Sequence, residues 1–259
     1  MAKGEKLLNE ERRRVILDLL NRESRVLVTD LSARFDTSQI TIRKDLEILH
    51  AQGLLHRTHG GALRVQTGAL ADPSLQEKEK LHHAEKLRIA MTAVRMIEEG
   101  QSVILDSGTT TTTIARCLRG QRNLTVITNA VNIAAELASA EIEVLLTGGS
   151  VRRNSFSLVG PLAEESLRQL SADICFLGVD GFDVKLGLST PNLLEAKVNR
   201  VMVERARLVV AVCDSSKFGH RSLSHIVPTK AIHHVITDKR IAKSDLQGLK
   251  DAGVEVTLV

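Results

Sequence analysis

The chain reads as an α/β protein in two parts: a winged helix-turn-helix over residues 1–64 and, after a linker at 65–80, an α/β domain over 81–259 with a mainly parallel sheet. Three observations predict this division. In the stretch Ser38 to Ala62, Ile42, Leu46 and Leu49 recur at i, i+4 and i+7 and a short basic hairpin follows. Beyond residue 100, short apolar runs alternate with helical stretches. Residues 1–64 hold 12 Lys/Arg against 9 Asp/Glu, whereas the remainder holds 23 against 22.

Taken in order, Glu11 to Leu20 carries Val15, Ile16, Leu19 and Leu20 on one face, behind Arg12, Arg13 and Arg14. Thr29 or Asp30 is placed to cap a short second helix from Leu31 to Phe35, and Asp36-Thr37 makes the turn into a third. Gly53 is placed to end that third helix in a left-handed conformation. Basic strands then flank a Gly60-Gly61 turn. Ser38, Gln39, Thr41, Arg43 and Lys44 crowd the first two turns of the third helix, mostly off its apolar stripe. Polar groups at that end suit the major groove of double-stranded DNA, with Arg57 and His59 of the hairpin on phosphates or in the minor groove. A helical dimerisation module would leave the basic hairpin idle.

The composition, 43% hydrophobic and 25% charged over 259 residues, is that of a globular protein, and no apolar run approaches the ~20 residues that span a bilayer. With no apolar segment in MAKGEKLLNEERRR, the reading is of a cytoplasmic protein without a membrane partner. Cys117, Cys175 and Cys213 are far apart and lack paired spacing, so a zinc site or disulfide framework is not expected, and no cofactor is. Tyr and Trp are absent, which argues against stacking on single-stranded nucleic acid. The net charge of +4 is modest for DNA binding, so a homodimer or tetramer presenting paired modules is expected.

The linker, with its Asp72-Pro73 breaker, runs into a helix from Leu81 to Glu99, with Leu87, Ala90, Met91, Val94 and Ile97 on one side and His82-His83 solvated near its start. Strands are expected at 103–105, 125–127, 144–146, 174–177, 208–212, 235–236 and 254–256, and helices at 109–118, 130–138, 162–170 and 195–206. Parallel sheets bind ligands beyond the carboxyl ends of their strands, which makes the loops there the candidate site. Asp106, Ser107, Gly108, Thr109, Thr110 and Thr111 lead into a helix N-terminus suited to an anion, although simple hydroxyl capping is an alternative. Asn129, Gly148, Gly149 and Asp180 follow three further strands, and Lys217 supplies a cation for a phosphate. Arg152 and Arg153 are placed to serve the same anion or to lie in solvent.

The run from Arg12 to Ala62, above all TIRKDL and RTHGGA, resembles the DNA-binding domain of the DeoR family of bacterial transcriptional regulators. The family usually has Gly-Val where this chain has Asp36-Thr37. DSGTTT, TNA, LTGG, LGVDG, EAKVNRVM and DSSKFG follow in the order of that family's sensor domain, whose fold is similar to ribose-5-phosphate isomerase. The resemblance implies operator DNA as one partner, and as the other a phosphorylated sugar effector held by the DSGTTT loop and Lys217; Glu195 is a further candidate for binding the effector. It implies a repressor of a sugar-catabolic operon, released by its effector. GLSTPNLLEAKVNR with DSSKFGHRSLS looks most like the branch that governs amino sugars such as N-acetylgalactosamine.

The alternatives are an activator, a ligand-free architectural DNA-binding protein and an isomerase-like enzyme with residual turnover. Asp180-Gly181-Phe182-Asp183 resembles an isomerase motif, and Glu195 could supply a base. The Lys-Gly-Gly-Gly stretch of those enzymes is replaced by Val184-Lys185-Leu186-Gly187-Leu188, so no enzyme activity is expected.

Overall fold

The computed structural model describes residues 9–259 apart from 24, 52–53, 65–68 and 70, and the chain divides into two compact units, 1–67 and 68–259. The expected Gly53 helix stop and part of the expected linker lie outside the described residues.

The first unit runs α1 (Asn9–Glu23), β1 (Arg25–Leu27), α2 (Val28–Arg34), α3 (Gln39–Ala51), β2 (Leu55–Arg57) and β3 (Gly61–Arg64). Ile16, Leu20, Leu31, Ile42, Leu46 and Leu55 form its core and are almost wholly buried. β3 lies between β1 and β2 in an antiparallel sheet, so the wing is a three-stranded sheet rather than a bare hairpin. Gly61 belongs to β3 and not to the turn, and only glycine fits there, since a Cβ would fall on the carbonyl oxygen of Val26 across the pairing. Asp36 holds the turn between α2 and α3 at φ +45°, a left-handed conformation that Asp tolerates. Neither Thr29 nor Asp30 caps α2: the helix starts at Val28, directly after β1, and Leu27 at its N-cap position gives no side-chain cap.

A buried ion pair joins the outer helices of this unit. Arg12 Nε donates to Asp45 Oδ2 at 2.6 Å and Arg13 Nε to Asp45 Oδ1 at 3.2 Å, with Asp45 only 3% exposed. Asp45 sits among the inward residues of α3, so the pair sets how α3 lies on α1.

The second unit runs α4 (Leu75–Glu79), α5 (His83–Val94), β4 (Ser102–Leu105), α6 (Thr109–Leu118), β5 (Thr125–Thr128), α7 (Val131–Leu137), β6 (Glu143–Leu146), β7 (Ser150–Arg152), β8 (Ser157–Val159), α8 (Pro161–Arg168), β9 (Ala172–Leu177), β10 (Gly181–Asp183), β11 (Gly187–Thr190), α9 (Leu193–Glu204), β12 (Ala206–Val212), β13 (Ser224–His225), β14 (His234–Thr237), α10 (Lys243–Asp251) and β15 (Glu255–Leu258). Seven strands form one sheet in the order β15-β14-β12-β9-β4-β5-β6, with every pairing parallel.

Period-2 alternation divides the central strands between two cores. Val103, Leu105, Ile174, Phe176, Val210 and Val212 pack with α5, α6 and α7 on one face. Ile104, Cys175, Leu177, Val209 and Ala211 pack with α8, α9 and α10 on the other. Burial on both faces explains why these strands read as unbroken apolar runs. The chain winds outward from β4 through β5 to β6, then returns to the other side of β4 as β9. The order therefore reverses between β4 and β9, where a parallel sheet opens a crevice for a ligand.

Other elements depart from the sequence expectation. Part of the expected linker is helix α4, stopped at its start by a Ser74–Glu77 capping box. The helix expected over 81–99 covers only His83–Val94, and Leu87 and Met91 are exposed rather than in the core. Of the three cysteines Cys175 and Cys213 are buried and Cys117 is half-buried, all as free thiols.

Replacing Asp45 with Ala strands two arginines against the first core, one of them buried. The variant should lose about 3 kcal/mol of stability in this unit. Thermal unfolding followed by circular dichroism on the isolated change measures it, and a loss below about 1 kcal/mol would show that the pair does not hold α1 on α3.

Candidate functional sites

The first site is the outward side of α3 and the adjoining wing. Ser38 Oγ accepts the Thr41 N–H at 3.2 Å and shares a hydrogen bond with Thr41 Oγ1 at 3.0 Å, so both residues cap the helix start. Gln39, Arg43 and Lys44 are exposed, with Arg43 Nη2 at 3.4 Å from Gln39 Oε1. Arg57 on β2 is exposed and lies 3.9 Å from Glu47 on α3, which puts the wing base beside the helix's outward face. His59 is exposed in the turn between β2 and β3. The arrangement presents a convex helix edge and a neighbouring turn, both rich in hydrogen-bond donors.

The second site is a pocket at the reversal point of the large sheet. Asp106, Ser107, Gly108, Thr109 and Thr110 enter it from the end of β4, Asp180 from beyond β9, Lys217 from beyond β12, and Glu195 from α9. Gly178 donates its N–H to Asp106 Oδ1 at 3.0 Å, which closes the β4–β9 crevice at its base. α6 begins at Thr109 with Gly108 as its N-cap and no side-chain cap, so hydroxyl capping does not consume its N-terminus. Phe218 stacks on Phe182 with ring centroids 4.9 Å apart, and Gly219 donates to the Phe182 carbonyl at 3.0 Å. These contacts hold the Asp214–Lys217 turn near Asp180.

Four expected residues are not brought to this pocket. Thr111 donates its hydroxyl back to the Gly108 carbonyl at 3.0 Å. Asn129 is wholly buried and donates to the Leu158 carbonyl at 3.2 Å. Asn129, Gly148 and Gly149 follow β5 and β6, on the side of β4 away from the reversal point, and none lines the pocket. Arg152 is neither solvated nor free: it makes an ion pair with Asp72 and another with Glu195 at 2.9 Å.

Sequence reasoning missed the residues that close the pocket from the N-terminal side of the unit. Lys78 Nζ lies 2.5 Å from Asp180 Oδ1, and Lys86 Nζ donates to the Lys78 carbonyl at 2.5 Å. His82 is not merely solvated: it takes φ +53° before α5, with Nε2 4.0 Å from Asp214 Oδ1. A helical flank of lysines and histidines carries the same pattern as a solvated face, so spacing alone held no signal for them.

The electrostatics follow from burial. Burial pushes the Asp106 carboxyl well above the usual carboxylate range, with Glu195 and Asp180 adding to it, and the Gly178 N–H opposes only in part. Burial pushes Asp180 up too, but the Lys78 and Lys217 ammoniums and the hydrogen bonds from Lys78 and Thr190 outweigh it and hold it below that range. Burial lowers Lys86 to about 8 against the opposing charge of Asp214. Two buried lining groups, Asp106 Oδ2 and Asn199 Oδ1, have no hydrogen-bond partner in the protein. Among the described residues no cluster of His, Cys, Asp or Glu could hold a metal ion, and no helix is long and apolar enough to cross a membrane.

A carboxyl raised on folding contributes stability that is complete below the ordinary carboxylate pKa and is lost as pH rises through its folded value. Asp106→Asn should therefore melt about 2 °C or more above the native chain at pH 8, with the gain shrinking toward pH 5. A difference in melting temperature that does not vary with pH would show that folding does not raise the Asp106 carboxyl.

Residues 12–67 match the DeoR-like helix-turn-helix domain and residues 81–239 the DeoR C-terminal sensor domain. A protein of Escherichia coli O157:H7, provisionally named as the aga operon transcriptional repressor, is 45% identical over 100% of this chain and 97% of its own length. The HTH-type transcriptional regulator GlpR of Haloferax volcanii is 38% identical over 96% of this chain and 98% of its own. Ribose 5-phosphate isomerase A of Methanocaldococcus jannaschii shows a likeness at 20% identity and TM-score 0.39, over 51% of this chain and 53% of its own. The sequence relatives are regulators by name and not enzymes. The chain belongs to the DeoR family of transcriptional regulators.

Proposed function

We propose that this regulator represses a sugar-catabolic operon, binding operator DNA as a homodimer or tetramer in the cytoplasm and letting go when a phosphorylated sugar fills the pocket of the second unit. The observation that carries the reading is the pocket itself, in which cations and an uncapped helix N-terminus face unpaired buried polar atoms. Lys86, Lys217 and the first turn of α6 suit a phosphate. Asp106 and Asn199 suit sugar hydroxyls, which donate or accept as the carboxyl's protonation requires. An amino-sugar phosphate is the first effector to test, in keeping with the GLSTPNLLEAKVNR and DSSKFGHRSLS resemblance.

Release needs an effector that binds one state better than the other. The segment from Ala69 to Lys86 supports such a difference. It leads from the first unit and is fastened to the pocket wall through Leu75 N–H to Asn154 O at 2.6 Å and Lys78 to Asp180, and to neighbouring parts of the second unit through Leu223 N–H to Ala69 O at 2.7 Å and Asp72 to Arg152. A phosphate in the pocket competes with Asp180 for Lys78, and thereby loosens or re-seats the segment on which the DNA-binding unit is carried.

On the DNA side, Gln39, Arg43 and Lys44 are the groove residues, Arg57 and His59 serve the phosphates or the minor groove, and Ser38 and Thr41 hold the helix start. Arg43→Ala should weaken specific operator binding more than about tenfold in a gel-shift titration, and unchanged affinity removes it from the interface. Lys217→Ala should keep operator affinity while losing release by sugar phosphate. Release at the native effector concentration removes Lys217 from the pocket.

A further inference from the structure

Helix α3 has a second stripe opposite its buried one. At about 100° per residue, Ile42, Asp45, Leu46 and Leu49 face inward, while Ile40, Arg43, Lys44 and Glu47 follow i, i+3, i+4 and i+7 on the far side. All four of the outward residues are exposed. Ile40 is 76% exposed, more than any other large apolar side chain among the described residues.

Single exposed apolar side chains are common and mean little by themselves. The position of this one sets it apart. It occupies the first turn of α3, near the middle of the outward face, with Arg43 and Lys44 one turn further on. A β-branched residue gains nothing there in helix propensity over Ala or Lys. The N-terminal turns of a recognition helix are the part that meets base edges. The major groove presents one apolar group, the 5-methyl of thymine. A cytosine at the same place would set its N4 amino donors against hydrocarbon, with no acceptor to replace water.

We propose that Ile40 is a base-reading residue that packs on a thymine methyl and sets a preference for thymine in each half-site. The proposal rests on the reading that α3 enters the major groove. It adds an apolar discriminator to a face whose other exposed residues recognise by charge and hydrogen bonding.

The test begins with an operator selected by the native chain from a randomised duplex pool. Each thymine of that duplex is then replaced singly by deoxyuridine, which removes only the methyl. The native chain should lose about three- to tenfold in affinity at one thymine per half-site, and Ile40→Ala should bind the thymine and deoxyuridine duplexes equally. Ile40 is 76% exposed and lies outside the core of its unit, so the variant keeps its fold, which circular dichroism checks. The proposal is overturned if every deoxyuridine duplex binds the native chain within about a factor of two, or if the loss persists unchanged in Ile40→Ala. Arg43→Ala on the same duplex separates the two levels: if it weakens binding while deoxyuridine has no effect, Ile40 alone is misassigned. If Arg43→Ala is also without effect, or if no duplex is enriched, the groove reading of α3 falls with it.

Discussion

Asp106, Asp180 and Asp214 stand beyond the carboxyl ends of three adjacent parallel strands, β4, β9 and β12, and Glu195 joins them from α9. Carboxylates gathered in so small a buried space must be neutralised, protonated or paired. Each of these outcomes occurs. Asp106 is driven toward its neutral form, Asp180 is held ionised by Lys78 and Lys217, and Glu195 is met by Arg152 and by hydroxyls of Ser155, Ser157 and Thr190. Two of the cations, Lys78 and Lys86, come from the start of the unit, so the charge of the sheet edge dictates where α4 and α5 lie. The route of the chain into the sensor unit follows from that balance.

The first unit depends on the same physics on a smaller scale. Asp45 is an acidic residue in the buried stripe of α3, an unfavourable place unless its charge is matched. Arg12 and Arg13 match it from α1. A pair of this kind costs desolvation but admits a single arrangement of the two helices, which leaves Arg43 and Lys44 on a defined outward face. In both units, then, buried charge contributes geometry more than net stability.

How legible this was depended on the range of the interaction. The parallel strands were readable because burial on both faces leaves continuous apolar runs, as in Leu208–Val212. The wing was readable from Leu55–Arg57 and its glycines, whereas β1 was not, since three residues carry too little pattern. The β7–β8 pair, the β10-β11-β13 sheet and the five-residue α4 escaped for the same reason. Strand-end reasoning picked out Asp106, Asp180 and Lys217, which line the pocket. It also admitted Asn129, Gly148 and Gly149, because the side of the sheet on which β5 and β6 lie is a matter of topology and not of local sequence. Arg152 and Glu195 pair across 43 positions, and no local signal marks one for the other. The match to the DeoR-type domains supplied what periodicity could not, the pairing of a helix-turn-helix module with a sensor domain.

On the proposed reading, occupancy of the pocket is felt by the Ala69–Lys86 segment that leads out of the DNA-binding unit. Hydrogen–deuterium exchange of the full chain, with and without saturating amino-sugar phosphate, tests it most directly. Ligand should protect the amides of the α6 first turn and change exchange across residues 72–86 at the same concentration. Protection at α6 with no change across 72–86 would contradict it.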